Sequence, residues 1–412
     1  MTFKELNLNP KILKAVSEQN YTKATPIQEA TIPLVLDGID VIGCAQTGTG
    51  KTAAFALPIL DRLSSIKETK KEEKNIKALI LSPTRELAVQ IEENFKTYAT
   101  YTKLRTAVVY GGTAMEPQLD KLKKGVDILI ATPGRLLDLH KRDFLNLDYI
   151  QTLVLDEADM MLDMGFIDDV KKLERLCPKS KQTLLFSATM PPKIQALAQE
   201  ILNEPEKVSV SVISSAAKAI EQSLYYVPKK DKIELCLHLL RNTLRGNILI
   251  FRRTKFGVDK LEETLLKNNY KVDTIHGDKT QPARQKALNK FKNNDVNILI
   301  ATDVAARGID IDGLDVVVNF DVPNIPESYV HRIGRTGRAG KQGTAITLVS
   351  ADEKVYIKEI QQLLTKAINV EEDHPFPLDP KAQPEIHRKQ GGSKYKKGRK
   401  SEGSKKKKKR WY

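Results

Sequence analysis

The sequence predicts an α/β protein of two tandem lobes, each a parallel sheet flanked by helices, followed by a disordered basic tail. Three observations carry that expectation. Short β-branched runs alternate with longer helical patterns along most of the 412 residues, the rhythm of a parallel sheet covered on both faces. The pentapeptide ILIAT occurs at 128–132 and again at 298–302, each time leading into a turn that carries an arginine. Most of the net charge of +15 lies within 388–412, where 13 Lys or Arg meet one acid, Glu402.

In chain order, strands of the first lobe are expected at 40–44 (DVIGC), 78–82, 106–110, 127–131, 152–156 and 183–187 (TLLFS). They are continuous apolar runs, as strands buried on both faces are. Helical stretches such as RELAVQIEENFKTYA and GRLLDLHKR separate them. The stretch 203–222, NEPEKVSVSVISSAAKAIEQ, interrupts the pattern, which resumes with strands at 247–251, 271–276, 297–301, 315–319 and 344–349. The expected division is a first lobe at 1–209, a linker at 210–222, a second lobe at 223–370 and a tail at 371–412. The repetition of ILIAT then looks architectural. Thr132 and Thr302 would stand at carboxyl ends of strands, where open parallel sheets gather ligands.

Apolar residues at 41% and charged residues at 29% suit a globular protein with a real core. No run approaches the ~20 apolar residues that cross a bilayer, and the start has no apolar signal-peptide segment. Cys44, Cys177 and Cys236 are far apart and odd in number, which gives neither a disulfide framework nor a zinc spacing. The expectation is a cytoplasmic protein with no membrane partner. The Gly- and Ser-containing tail lacks periodic apolar residues and reads as an arm for polyanions, nucleic acid first among them; a merely solubilising end is the alternative.

CAQTGTGKTAAF (44–55) follows a strand and opens a helix, the setting that a phosphate-binding loop requires. Gly48 and Gly50 let backbone N–H groups curl around phosphate oxygens, and the helix start adds the positive end of a dipole. Lys51 is placed to reach β- and γ-phosphates, and Thr52 to ligate magnesium. Ala45 stands where the strict pattern has glycine. At TLVLDEADMML (152–162) a strand delivers Asp156 and Glu157 side by side. Asp156 suits the shell of a magnesium ion that keeps much of its water. Glu157 suits orienting and deprotonating an attacking water. Acidic pairs also cap helices at strand ends; the phosphate loop tips the balance toward chemistry.

With DEAD at 156–159 the chain resembles the DEAD-box RNA helicases over residues 3–350. The motifs stand in the family's order: Phe3 and YTKATPIQ, AQTGTGKT, PTRELA, GG at 111–112, TPGR, DEAD and SAT, then HGDKTQPAR, ATDVAARGID and HRIGRTGR. The wording FRRTKFGVDKL and HGDKTQPAR, with the short basic tail, is similar to the bacterial RhlE-type subgroup. The resemblance implies two RecA-like lobes, with ATP and Mg2+ as ligands. It also implies RNA-stimulated ATP hydrolysis coupled to lobe closure and local unwinding of short duplexes, in ribosome assembly or RNA turnover. An ATP-gated RNA clamp or remodelling factor would need the same motifs.

By the same resemblance, Phe3 and Tyr21 pack against adenine and Gln28 reads its edge. Ala45, Gln46, Thr47, Gly48, Thr49, Gly50, Lys51 and Thr52 cradle the phosphates, and Asp310 contacts the ribose. Arg335 and Arg338, three apart on one helical turn, act as arginine fingers. Asp159, Ser187, Thr189 and His331 link nucleotide state to closure. Asn20 and Ala24 stand where glycine and proline are usual. RNA would be lined by Pro83, Thr84, Arg85, Gly111, Gly112, Thr132 and Arg135 in one lobe, and by Thr254, Arg284 and Thr302 in the other. These offer hydroxyls, N–H groups and guanidinium, which suit phosphates and 2′-hydroxyls better than bases. Arg253 replaces asparagine at the family's F-x-N-T position. The expected partners are single-stranded and short duplex RNA, in ribosomal or RNA-degradation complexes, with the chain itself monomeric.

Overall fold

The structure, a computed structural model, describes residues 1–45, 48–65, 75–210, 220–306, 311, 313–337, 343–364, 366–379 and 381–382. Val41–Cys44 (β1), Ala78–Leu81 (β2), Thr106–Val109 (β3), Ile128–Ala131 (β4), Thr152–Leu155 (β5), Gln182–Ser187 (β6) and Glu206–Ser209 (β7) form one parallel sheet. Its order is β3-β4-β2-β5-β6-β1-β7. Ile220–Tyr226 (β8), Ile248–Arg252 (β9), Val272–Ile275 (β10), Ile298–Thr302 (β11), Val316–Asn319 (β12), Gly343–Val349 (β13) and Asn369–Val370 (β14) form the second. That order is β10-β11-β9-β12-β13-β8-β14, again parallel throughout. The two plans match place for place, so the chain is two tandem RecA-like lobes. The ILIAT strands β4 and β11 both lie second from the edge.

Side-chain alternation explains why these apolar runs are strands. Ile80, Ile130, Val154 and Leu184 face one layer of helices, where they meet Phe55, Ile59, Ile91 and Phe95. Their neighbours Leu79, Leu129, Leu153 and Leu185 face the other, against Leu136, Val170 and Leu197. The second lobe repeats the pattern with Ile250, Ile300 and Val318 on one face and Leu249, Leu299 and Val317 on the other. Each fully buried Leu, Ile or Val contributes about 1.5–3 kcal/mol. Continuous apolar sequence is what a two-sided burial demands.

Three stretches without an apolar run carry structure of their own. The interruption at 203–222 contains β7, whose residues are mostly exposed at the sheet edge and so carry no apolar run. The expected linker 210–222 is shortened because β8 begins at Ile220, where it is held by β13 along its whole length. The first residues of the expected tail 371–412 are bonded to β8. The Glu371 N–H donates to the Leu224 carbonyl and the Leu378 N–H to the Tyr226 carbonyl, both at 2.9 Å. Phe376 packs against the second lobe's core. Residues 211–219 of the linker and 383–412 of the tail lie outside the described residues. Among the described residues no helix is long and apolar enough to cross a membrane.

Candidate active site

The phosphate loop and the acidic pair follow directly on the carboxyl ends of β1 and β5. β1 runs into Ala45, buried, whose N–H donates to the Ser187 carbonyl at 3.1 Å. The helix Lys51–Ser65 then begins; Gln46 and Thr47 lie outside the described residues. Gly48 and Gly50 have φ of +79° and +96° with Thr49 between them, a backbone that side chains resist. A Cβ on Gly50 would also stand 2.3 Å from Gln28 Nε2. Gln28 is tied in place at both ends: Nε2 donates to the Gly50 carbonyl at 3.1 Å and Oε1 accepts from the Thr25 N–H at 2.9 Å.

The Phe3 and Tyr21 rings lie nearly parallel, centroids 6.3 Å apart, and Tyr98 leans on Tyr21 at 6.4 Å. Asn20 has φ of +60°, which explains how it stands where glycine is usual. A cavity of about 460 Å³ is bounded by these rings, by Gln28, Gly48, Gly50, Lys51 and Thr52, and by Asp156 and Glu157. Its wall is completed by Arg335 from the second lobe. Gln90, Asn94 and Tyr98 also line it. They went unread in the sequence although they recur every four residues along one face of the helix Arg85–Tyr98.

At the end of β5, Asp156 and Glu157 are both buried. Glu157 adopts φ +55°, ψ +55° at the start of the helix Ala158–Asp163. Its carboxylate accepts from Lys51 Nζ at 2.7 Å. Burial alone would depress the Lys51 ammonium, but the facing carboxylates of Glu157 and Asp156 outweigh it and raise the lysine's pKa. Burial pushes Asp156 up to about 7; Lys51 opposes this and Glu157 adds to it. A buried carboxylate with its neighbouring ammonium committed elsewhere, facing the same cavity as Thr52, fits a magnesium ion. Among the described residues no group of three or more His, Cys, Asp or Glu is poised to hold a metal. Two protein oxygens suit magnesium, which keeps several waters and takes phosphate oxygens.

Asp159, Ser187 and Thr189 lie together in the first lobe. Asp159 Oδ2 accepts from both the N–H and the hydroxyl of Thr189 at 2.9 Å. The Asp159 N–H donates to Ser187 Oγ at 3.2 Å, and that hydroxyl donates to the Thr189 carbonyl at 2.7 Å. Burial would raise the Asp159 carboxyl, yet it is held low by His331 of the second lobe, by Lys51 and by these hydroxyls. The second lobe presents His331 from the helix Pro326–Ile333, and Arg335 just beyond its end. That helix is pinned by Arg332, also unread in the sequence, whose Nε and Nη2 donate to Asp303 at 2.6 Å. Arg338 and Asp310 lie outside the described residues.

The residues expected on RNA occupy the same rim. Pro83 and Thr84 are buried, and Thr84 Oγ1 accepts from the Leu87 N–H at 3.3 Å to cap the helix Arg85–Tyr98. The Arg85 guanidinium lies over Gly112, where a Cβ would meet it at 2.2 Å; Gly111 beside it is open. Thr132 precedes the helix Pro133–Lys141. Arg135 donates through Nη2 to the Thr113 carbonyl at 2.9 Å, while its buried Nη1 has no partner among the described residues. In the second lobe Thr254 caps the helix Lys255–Lys267, accepting from the Gly257 N–H at 3.1 Å. Thr302 ends β11 opposite Arg252 of β9. Arg284 places Nη2 3.1 Å from Glu86 Oε1, an ion pair between the lobes.

Comparison with known proteins bears on this geometry. The sequence model of the DEAD/DEAH box helicases matches residues 25–197, and that of the helicase conserved C-terminal domain matches 231–340. The ATP-dependent RNA helicase CshA of Limosilactobacillus reuteri is 47% identical over 365 residues, covering 88% of this chain and 72% of that protein. The DEAD-box ATP-dependent RNA helicase CshA of Bacillus subtilis is 45% identical over 362 residues, covering 88% and 72%. Among solved structures, S. cerevisiae Dbp5 bound to RNA and ADP BeF3 has a TM-score of 0.80 at 31% identity, covering 90% of this chain and 95% of its own. A DEAD box protein from Methanococcus jannaschii, at 40% identity, has a TM-score of 0.52 and covers 90% and 99%. Matched across most of its length in sequence and in both lobes, the chain belongs to the DEAD-box family of ATP-dependent RNA helicases.

Proposed function

We propose that one ATP is gripped jointly by the two lobes and that this grip governs the hold on RNA. The observation that carries it is Arg335 of the second lobe lining the same cavity as Lys51 and Glu157 of the first. In this reading adenine sits against Tyr21 and Phe3 with Gln28 at its edge. The triphosphate lies over Gly48, Thr49 and Gly50. Lys51 exchanges its bond to Glu157 for the β- and γ-phosphates. That exchange frees Glu157 to orient the attacking water and take its proton. Arg335, with Arg338, stabilises the charge on the transferring γ-phosphoryl group. Thr52 and Asp156 would hold magnesium, which when bound neutralises β- and γ-phosphate oxygens.

RNA runs across the carboxyl ends of both sheets, past Arg85, Gly112, Thr132 and Arg135, then Thr254 and Thr302. The unpartnered Arg135 Nη1 supports a phosphate there, since a buried donor without an acceptor is costly. The Glu86–Arg284 pair supports closure as a defined state. A strand held on two lobes follows a path that a regular duplex cannot share, so closure opens a few base pairs locally. Loss of the γ-phosphate removes the target of the arginines, and the lobes part. The Asp159, Ser187 and Thr189 network, with His331 opposite, transmits the nucleotide state.

Finer parts of the reading rest on sequence. They are the division into an ATP-binding lobe at 1–209 and a second lobe that supplies the arginines, monomeric action in the cytoplasm, and work in ribosome assembly or RNA turnover. RhlE-type affinity rests on wording alone, and the relatives above carry the name CshA. The test is ATP turnover with and without single-stranded RNA. RNA should raise it strongly; equal rates contradict the coupling.

A further inference from the structure

At the carboxyl end of β9 the chain passes through Arg253 and Thr254 into the helix Lys255–Lys267. The second residue of that helix, Phe256, is 75% exposed, more than any other exposed large apolar side chain of the described residues. The helix buries Val258, Leu261 and Leu265, and helical periodicity puts Phe256 on the opposite side. Packing therefore does not call for an aromatic ring there. A single exposed apolar residue is ordinary; the surroundings set this one apart. Lys255 Nζ lies 5.3 Å from the ring centroid. Arg253, with its side chain 45% exposed, is fixed by Nη2 bonds to Glu353 Oε1 at 3.0 Å and to the Val322 carbonyl at 2.9 Å. Three carboxylates border the patch: Asp278, 2.6 Å from Lys255, Glu353 on Arg253 Nη2, and Asp321, which accepts from the Arg253 N–H at 2.9 Å. Both cations are thus partly compensated, and the patch offers a polyanion the ring and the exposed part of the Arg253 guanidinium.

We infer that Phe256 is a stacking platform for one base of single-stranded RNA at the second-lobe end of its path, with Arg253 on a neighbouring phosphate. This rests on the RNA path proposed above and adds a different kind of contact. The other residues of that path suit phosphate and ribose, whereas an exposed ring takes the face of a base. Every base has such a face, so the platform adds affinity without a sequence code. The arginine that replaces the family's asparagine turns a neutral position into a charged one beside that platform.

The test uses the full chain with a non-hydrolysable ATP analogue and measures affinity for oligo(A), oligo(U) and an abasic ribose-phosphate strand of equal length. Phe256→Ala should weaken oligo(A) binding at least about fivefold. It should weaken oligo(U) less, spare the abasic strand, and leave the salt slope and thermal unfolding unchanged; Phe256→Trp should restore binding. Arg253→Asn should weaken all three alike and flatten the logarithmic salt slope by about 0.7. Unchanged oligo(A) affinity in Phe256→Ala overturns the inference and leaves the ring to a protein partner or to bare surface. An equal loss on the abasic strand overturns it too. Arg135→Ala separates the two readings. If it weakens RNA binding while Phe256→Ala does not, this inference alone fails; if neither does, the path itself fails.

Discussion

Lys51 Nζ is held by Glu157 at 2.7 Å, and the proposed chemistry turns on how that ammonium is shared when a triphosphate arrives. In the structure the lysine and the glutamate compensate each other inside a buried wall. In the mechanism proposed above, ATP draws Lys51 toward phosphate and Glu157 acts as the base. Glu157→Gln should therefore bind ATP at least as well as the parent, because the amide holds Lys51 less strongly. Turnover should fall about 10²–10⁴-fold, the range for removing a general base. Nucleotide titration beside steady-state turnover checks both halves, and undiminished turnover puts the base elsewhere. At this scale the sequence was readable where a role is set by its neighbours: Lys51 follows the glycines, and Asp156 ends an apolar strand. The bond from Lys51 to a residue 106 positions away leaves no trace in spacing. Nor does the contact of Arg284 with Glu86, which only the assembled lobes create.

Elements were legible in proportion to their burial. β4 and β11 are almost wholly enclosed and spell themselves out as ILIA. β7 and β14 are exposed edge strands, whose residues answer to solvent and carry no apolar run. The start of β8 and the segment after β14 are faint in the sequence for a related reason, since backbone bonds and one ring, Phe376, hold what patterning does not mark. A polar element of the second lobe was equally silent. Lys232, buried, donates to the Phe320 and Leu348 carbonyls at 2.8 Å and to Glu353 Oε2 at 2.5 Å. Glu353 also accepts from the Val322 N–H and from Arg253, so it ties the ends of β12 and β13 to the helix Lys354–Leu364. Glu353→Ala should destabilise the chain by about 3–5 kcal/mol, because it strands a buried ammonium. Urea unfolding measures this, and a loss under about 1 kcal/mol, the worth of a surface pair, would mean that water reaches Lys232.

At the scale of the molecule, two copies of one sheet plan face a shared cavity, each adding residues that the other lacks. The first lobe holds the phosphate loop and the acids; the second brings Arg335 and His331. This division explains why ILIAT recurs 170 residues apart: the strand ends at Thr132 and Thr302 are equivalent places on related sheets. The sequence revealed the repeat but could not reveal the approach of the lobes, which depends on contacts between residues far apart in the chain. Residues 388–412 add 13 cations. Deleting them should lower RNA affinity and flatten its salt dependence, by about 0.7 in logarithmic slope for each phosphate that the tail no longer neutralises, with RNA-free hydrolysis intact. A slope unchanged by the deletion would return the segment to a solubilising role.

The most direct measurement is the distance between the lobes, read by energy transfer between dyes at the exposed positions Tyr149 and Leu266. Addition of a non-hydrolysable ATP analogue together with single-stranded RNA should produce one short-distance population, absent with either alone and abolished in Arg335→Ala. A distance distribution indifferent to both ligands would contradict joint gripping of the nucleotide.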